Sequence, residues 1–388
     1  MDMKISDDIR YVGVNDHITD LFEGQYAVPR GMAYNSYVVL DSKVAIMDTV
    51  DVRFCDEWMK NVGAVIGDRA PDYLVIQHME PDHSGSIAKA LELCPGMTVV
   101  ASALAFKYME AFFGAGIAPK RLVVKDGDTL DLGRHKLHFV AAPMVHWPEV
   151  VVTYDSADKV LFSADGFGKF GANDTEDPEG WDCEARRYYI GIVGKYGAQV
   201  QALLKKAATL DIQTVCPLHG PVLKGAEIAH AIEKYDIWSS YRVEDEGVLI
   251  AYTSVYGNTK AAAELLKEEL LKRGCPKVAF DDLAREDMHE TVENAFRYGK
   301  TVFATTTYNG DVFPFMRTFI DNLKERNWKN RTVGIIENGT WAPMAAKTIR
   351  GMLEKSEGLT FAEPVVTVKS ALDDAARGQI AALADALV

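Results

Sequence analysis

Tyr73-Leu74-Val75-Ile76-Gln77-His78-Met79-Glu80-Pro81-Asp82-His83 joins an apolar run to a tail with four metal-ligating side chains among its last six residues. The first five residues read as a β-strand. The tail is an irregular loop broken by Pro81, where alternate side chains can converge on one point as they could not on a regular helix or a continuing strand. The loop is therefore a candidate metal cradle.

Outward from it, Ser36-Tyr37-Val38-Val39-Leu40 and Val44-Ala45-Ile46-Met47 form a hairpin across Asp41-Ser42-Lys43. Strand signals recur at 97–101, 121–125, 136–142, 150–154 and 159–163. Helical patterns lie mostly between the earlier strands, whereas short polar turns at 126–128 and 155–158 favour antiparallel pairing of the later ones. A long helix is expected over about 183–208, a buried strand at 212–216 and a second helix at about 224–239. The polar stretch at 241–247 then gives way to an apolar strand, so the domains are set at 1–245 and 246–388. In the second, strands near 248–253, 277–280, 300–306, 331–337 and 364–368 alternate with helical stretches, which predicts a parallel doubly wound sheet with ligands at the carboxyl ends of its strands.

Three later residues stand at strand ends like the first loop: His146, Asp165 and His219. Four histidines and three carboxylates suffice for two metals, each with two histidines and a terminal carboxylate, sharing one bridge, for which Asp165 is placed centrally. Hard oxygen donors without a thiolate favour iron or manganese over structural zinc. His135, His138, His230 and His289 read as surface or packing residues, and Tyr26, Tyr188 and Tyr189 as core.

In the second domain Thr253-Ser254-Val255-Tyr256-Gly257-Asn258-Thr259 opens a helix. Unpaired backbone N–H groups and the helix dipole suit one phosphate there, and neither a dinucleotide fingerprint nor a triphosphate loop is present. Two further strand-end loops, with Thr306-Thr307-Tyr308-Asn309-Gly310 and Asn338-Gly339-Thr340-Trp341, set an aromatic residue among small polar ones. An isoalloxazine ring needs flat apolar contact and backbone donors, and Tyr308 and Trp341 are the candidate ring contacts.

Across 1–245 the ligand loop, with Asp48, His146, Asp165 and His219, resembles the metallo-β-lactamase fold, an αββα sandwich, and 246–388 resembles flavodoxin. Glu80 stands where the hydrolases carry a second histidine, a replacement typical of the flavodiiron branch, which the chain resembles throughout. The resemblance implies that His78, Glu80 and His146 bind one iron, that Asp82, His83 and His219 bind the other, and that Asp165 bridges them. It implies FMN and two irons per subunit, reduction of dioxygen to water or nitric oxide to nitrous oxide, and no catalytic residue beyond the ligands. It further implies a head-to-tail homodimer, or a dimer of dimers, in which each flavin approaches the partner's metals. Some relatives place an early histidine beside the irons; His17 is the candidate, although this chain reads Phe22-Glu23-Gly24-Gln25-Tyr26 in that region.

A net charge of −14 argues against nucleic-acid or anionic-membrane partners. Five scattered cysteines without a Cys-x-x-Cys pair exclude a disulfide framework and a rubredoxin-type site, so electrons are expected from an external donor such as rubredoxin. No signal peptide or membrane-spanning run is read, and cytoplasmic residence is expected. Two readings compete. Glu80 speaks against a zinc hydrolase fused to a flavodoxin, and the full ligand set against a bare electron carrier with an inert metal domain.

Overall fold

A computed structural model describes residues 3–388, which divide into two compact units, one ending at Asp236 and the other running from Ile237 to Val388. In the first unit, seven strands are hydrogen-bonded in chain order: β1 (Met3–Lys4), β2 (Ile9–Tyr11), β3 (Tyr37–Leu40), β4 (Val44–Met47), β5 (Tyr73–Ile76), β6 (Thr98–Ser102) and β7 (Arg121–Val124). The early pairs are antiparallel, and β4 to β7 run parallel. A second sheet holds β8 (Thr129–Asp131), β9 (Lys136–Ala141), β10 (Val151–Asp155), β11 (Val160–Phe162), β12 (Thr214–Cys216) and β13 (Leu223–Lys224).

Side chains alternate across a strand, and the sequence fills both faces of the first sheet. Tyr37, Val39, Ala45, Met47 and Val75 join Leu137, Phe139, Val160 and Phe162 of the second sheet in one buried cluster. The opposite face sends Val38, Val44, Ile46, Leu74 and Ile76 against Trp58 and Val62 of α1 (Cys55–Ile66) and Phe106 and Met109 of α2 (Ala103–Phe113). The result is the layered α/β sandwich that the strand pattern predicts.

The helix expected over about 183–208 is not continuous. It runs as α3 (Trp181–Tyr188), a π-helical turn at Tyr189–Val193, a 3-10 turn at Gly194–Tyr196 and α4 (Gly197–Ala207). Gly191, Gly194 and Gly197 explain the break, because glycine lowers helix propensity and permits close approach. A Cβ on Gly191 would lie 2.8 Å from the Tyr26 ring. The Tyr26 hydroxyl donates to the Gly191 carbonyl at 2.9 Å, so the turn is fastened where it departs from α-helix.

In the second unit β14 (Asp245–Tyr252), β15 (Val278–Asp282), β16 (Tyr298–Tyr308), β17 (Thr332–Asn338) and β18 (Thr360–Phe361) lie in the order β15-β14-β16-β17-β18, all parallel. β19 (Val366–Val368) also pairs with β17. The strands are flanked by α5 (Asn258–Lys272), α6 (Met288–Arg297), α7 (Pro314–Glu325), α8 (Ala345–Leu353) and α9 (Asp374–Leu387). Continuous apolar runs such as Val248 to Ala251, buried on both faces, are what a parallel sheet under two helix layers requires.

Candidate metal and flavin sites

All seven ligand candidates hang from strand ends at one edge of the first unit's two sheets. The loop after β5 turns at Gln77, and a single helical turn, Pro81–Ser84, carries Asp82 and His83. His146 follows β9, Asp165 follows β11 and His219 follows β12. β11 and β12 are parallel, and two antiparallel pairings restore the direction of β9, so the three carboxyl ends face one way.

The side chains close into two groups, His78, Glu80, His146 and Asp165 in one and Asp82, His83 and His219 in the other. Asp165 Oδ2 lies 3.2 Å from His78 Nε2 and 3.1 Å from His146 Nε2, while its Oδ1 lies 3.2 Å from His83 Nε2. Glu80 Oε2 is 2.9 Å from His146 Nε2, and Asp82 Oδ2 is 3.2 Å from both His83 Nε2 and His219 Nε2. Ligand atoms about 2.1 Å from a shared cation sit about 3.0–3.4 Å apart, which these separations match. Both oxygens of Asp82 and of Asp165 are buried and accept no hydrogen bond. Such orphaned acceptors, beside imidazole nitrogens pointing inward, fit cations as their missing partners.

The surroundings orient the ligands. Glu149, buried and absent from the sequence reading, faces His78 Nδ1 at 2.8 Å and accepts the Met79 N–H at 2.9 Å. The Ala33 carbonyl accepts from His219 Nδ1 at 2.8 Å. Each contact leaves Nε2 as the metal-facing nitrogen. Asp48 accepts the Gln77 backbone and side-chain N–H groups at 2.7 and 2.8 Å, and Thr49 donates its hydroxyl to the His83 carbonyl at 2.7 Å, pinning both ends of the loop. Phe22 and Tyr188 each lie 5.4 Å from the His219 ring in edge contacts. Tyr188 thus packs in the core and also walls the site.

His17 lies away from the ligands, paired with Asp174 at 3.1 Å. Glu23 takes the place beside Glu80; desolvation and the Glu80 charge push it up to about 7. His135 is a buried structural residue at the far end of β9, between Asp155 and Asp8.

Without metal the site is rich in protons. Burial alone would lower the His146 imidazole, but the Asp165 carboxylate 3.1 Å away and the hydrogen bond to Glu80 raise it to about 9. Burial opposes the Asp165 charge, yet the neighbouring histidines hold its carboxyl well below the usual range. Burial pushes Asp82 up to about 7. Cations must displace these protons, so ferrous affinity in anaerobic equilibrium dialysis will rise between pH 6.5 and 8.5, by about tenfold per pH unit for each proton released. A flat profile would mean that the histidines are already neutral.

In the second unit a cavity of about 530 Å³ opens at the carboxyl ends of β14, β16 and β17. Ser254, Val255, Tyr256, Asn258 and Thr259 line it, as do the loops 306–310 and 338–341. Thr253 does not; its hydroxyl is buried against Thr305 at 2.7 Å. Gly257 also stands outside the lining, at φ 88° just before α5, in the left-handed region that glycine adopts cheaply. Ser370, which the sequence reading missed, completes the wall and donates its N–H to Asn338 Oδ1 at 3.1 Å. Ser254 Oγ accepts the Gly257 and Lys260 N–H groups at 3.1 and 3.2 Å. Tyr256 and Trp341 are 92% and 90% exposed, so their rings have faces to offer a planar ligand.

Residues 32–220 match the family model of ODP family beta lactamases. A rubredoxin-oxygen oxidoreductase of Megalodesulfovibrio gigas is 28% identical over 94% of this chain and 92% of its own length. A nitric oxide reductase of Moorella thermoacetica is 28% identical over 95% and 93%. A longer diflavin flavoprotein of Synechocystis is 34% identical over 70% of this chain, which spans 47% of that protein. The crystal structure of the flavodiiron protein from Giardia intestinalis superposes with a TM-score of 0.93 at 25% identity, covering 100% of this chain and 96% of that one.

Proposed function

The chain belongs to the flavodiiron proteins, and on that footing we propose that it reduces dioxygen to water, nitric oxide to nitrous oxide, or both, at a non-haem di-iron site fed through FMN. The observation that carries the reading is the division of Asp165, one oxygen toward His78 and His146 and the other toward His83. A single buried carboxylate spans two ligand pockets. When bound, the iron pair supplies electrons and open coordination positions to a diatomic gas, and FMN supplies replacement electrons singly or in pairs.

The chain's own residues have defined parts in this reading. His78, Glu80 and His146 hold one iron, Asp82, His83 and His219 hold the other, and Asp165 holds both. Glu149 keeps His78 in the tautomer that presents Nε2. Phe22 and Tyr188 give His219 an apolar flank that restricts water. Residues 1–245 form the di-iron domain and 246–388 the FMN domain. The loops 254–259, 306–310 and 338–341 bind FMN, with Ser254, Asn258 and Thr259 at its phosphate and Tyr308 and Trp341 on its ring.

Dioxygen requires four electrons and two ferrous ions carry two, so the site needs an electron donor. Rubredoxin is the donor we propose, in keeping with the name of the Megalodesulfovibrio relative. A head-to-tail homodimer, bringing one copy's flavin to its partner's irons, belongs to the same reading; the exposure of Tyr256 and Trp341 in a single copy supports it. No helix among the described residues is long and apolar enough to cross a membrane. We place the protein in the cytoplasm, in keeping with the lack of disulfides among its described residues.

Anaerobic stopped-flow mixing of pre-reduced, iron- and FMN-loaded protein with each gas tests the reading. Oxidation by at least one gas at rates of about 1 s⁻¹ or more is expected. Failure with both, together with bound zinc and hydrolysis of an ester or lactam, would give the site to a hydrolase.

A further inference from the structure

Beneath α4 lies a cavity that no metal ligand lines. Its outer wall is one helical stripe, Val200, Leu204 and Ala207, at the i, i+4, i+7 spacing that puts side chains on a single face. Its inner wall includes Val145 and Gly166, the chain neighbours of His146 and Asp165, and Phe167 one residue further on. The two hydroxyls in the lining are already engaged. Ser163 donates to the Gly166 carbonyl at 2.6 Å, and the Tyr235 hydroxyl accepts the Phe167 N–H at 2.6 Å.

The volume is about 20 Å³. That is room for a molecule of one or two heavy atoms, since a water needs about 10–15 Å³ on the same measure and two to four polar partners to stay. Here the walls offer water almost nothing, and small apolar cavities of this kind remain dry and take up apolar atoms such as xenon. Leu204 and Ala207, at the outer end, are half-buried, while the inner end abuts the backbone on either side of His146 and Asp165.

We propose that this cavity is a holding site for a small apolar gas, which concentrates diatomic substrate from solvent beside the loops bearing His146 and Asp165. The identity of that gas as substrate rests on the reduction reading above; the cavity's affinity for apolar gas does not. Such a site acts by partition, because an apolar molecule gains by leaving water for an apolar, unhydrated space. It raises the local supply of gas and leaves the chemistry at the metals unaltered.

Xenon-pressurised crystals of the whole protein test the cavity without iron or turnover. One xenon atom between α4 and the second sheet is expected in the wild type. Ala207→Phe, which fills the outer end, should abolish it, and Leu204→Ala, which widens it, should raise the occupancy. In the iron- and FMN-loaded protein, Ala207→Phe should raise KM for the gas about three- to tenfold and leave kcat within about twofold, the pattern of impaired supply. A wild-type cavity without xenon overturns the proposal, as does a folded Ala207→Phe chain that loses xenon with no change in KM. Should xenon bind while neither gas is reduced, the reduction reading falls and the holding site stands.

Discussion

An Asp165→Asn chain will fold, bind its flavin, hold no more than about one iron and lose gas reduction by about a thousandfold or more, because the ligand cluster acts as a unit. Asp165 is 1% exposed, and neither carboxylate oxygen accepts a hydrogen bond. An amide keeps the shape and removes both the negative charge and one of the two acceptor atoms. Its NH2 end must then face either His83, 3.2 Å away, or the His78 and His146 pair at 3.2 and 3.1 Å. Whichever pocket meets the NH2 loses its shared ligand. The anion between the two cations is also gone, so their mutual repulsion is no longer offset and works against double loading. Iron content per chain, flavin absorbance and the stopped-flow rate are the three readouts. Two irons with a wild-type rate would show that Asp165 bridges nothing, and loss of flavin along with iron would point to general misfolding instead.

That cluster of seven side chains was legible because its members sit where an apolar strand stops, and strand ends can be read from a single sequence. The parallel second unit was legible for the same reason, since strands such as Val248 to Ala251 are unbroken apolar runs between loops. What escaped notice depended on long-range pairing. Glu149 lies 71 residues from His78, and nothing local marks its carboxylate as the one that reaches the imidazole. The one local signal was a charged residue three places beyond His146, just before an apolar strand. Glu23 meets Glu80 through a loop with no ligand pattern. Ser370 reaches the flavin cavity because Asn338 fastens it there, a contact set by which strands pair with β17. The helix at 183–208 was over-read because its periodicity survives the π-helical turn, while the fit of Gly191 under Tyr26 is visible only in three dimensions.

Ser254→Asp should empty the second unit of FMN and leave its fold unaltered. Ser254 Oγ accepts two backbone N–H groups, from Gly257 and Lys260, and so shapes the turn into α5. An aspartate at such a position accepts the same kind of bonds and caps a helix as well as serine does. The turn should therefore persist, and the circular dichroism spectrum with it. The added charge, however, faces the place where the helix N-terminus would hold a phosphate. Two unit charges about 4 Å apart at an effective dielectric of about 20, which already includes the screening of a partly solvated site, repel by about 4 kcal/mol, so the FMN dissociation constant should rise about a thousandfold. The protein should purify without yellow colour yet still load two irons, because the ligands of the first unit are untouched. Riboflavin, which has the ring and lacks the phosphate, provides the discriminating control: its weak affinity should be the same in the variant and the wild type. If the variant retains FMN at full occupancy, the turn at 254–260 is not the phosphate cradle; if it loses riboflavin affinity to the same degree as FMN, the substitution has damaged the ring pocket and the charge argument fails.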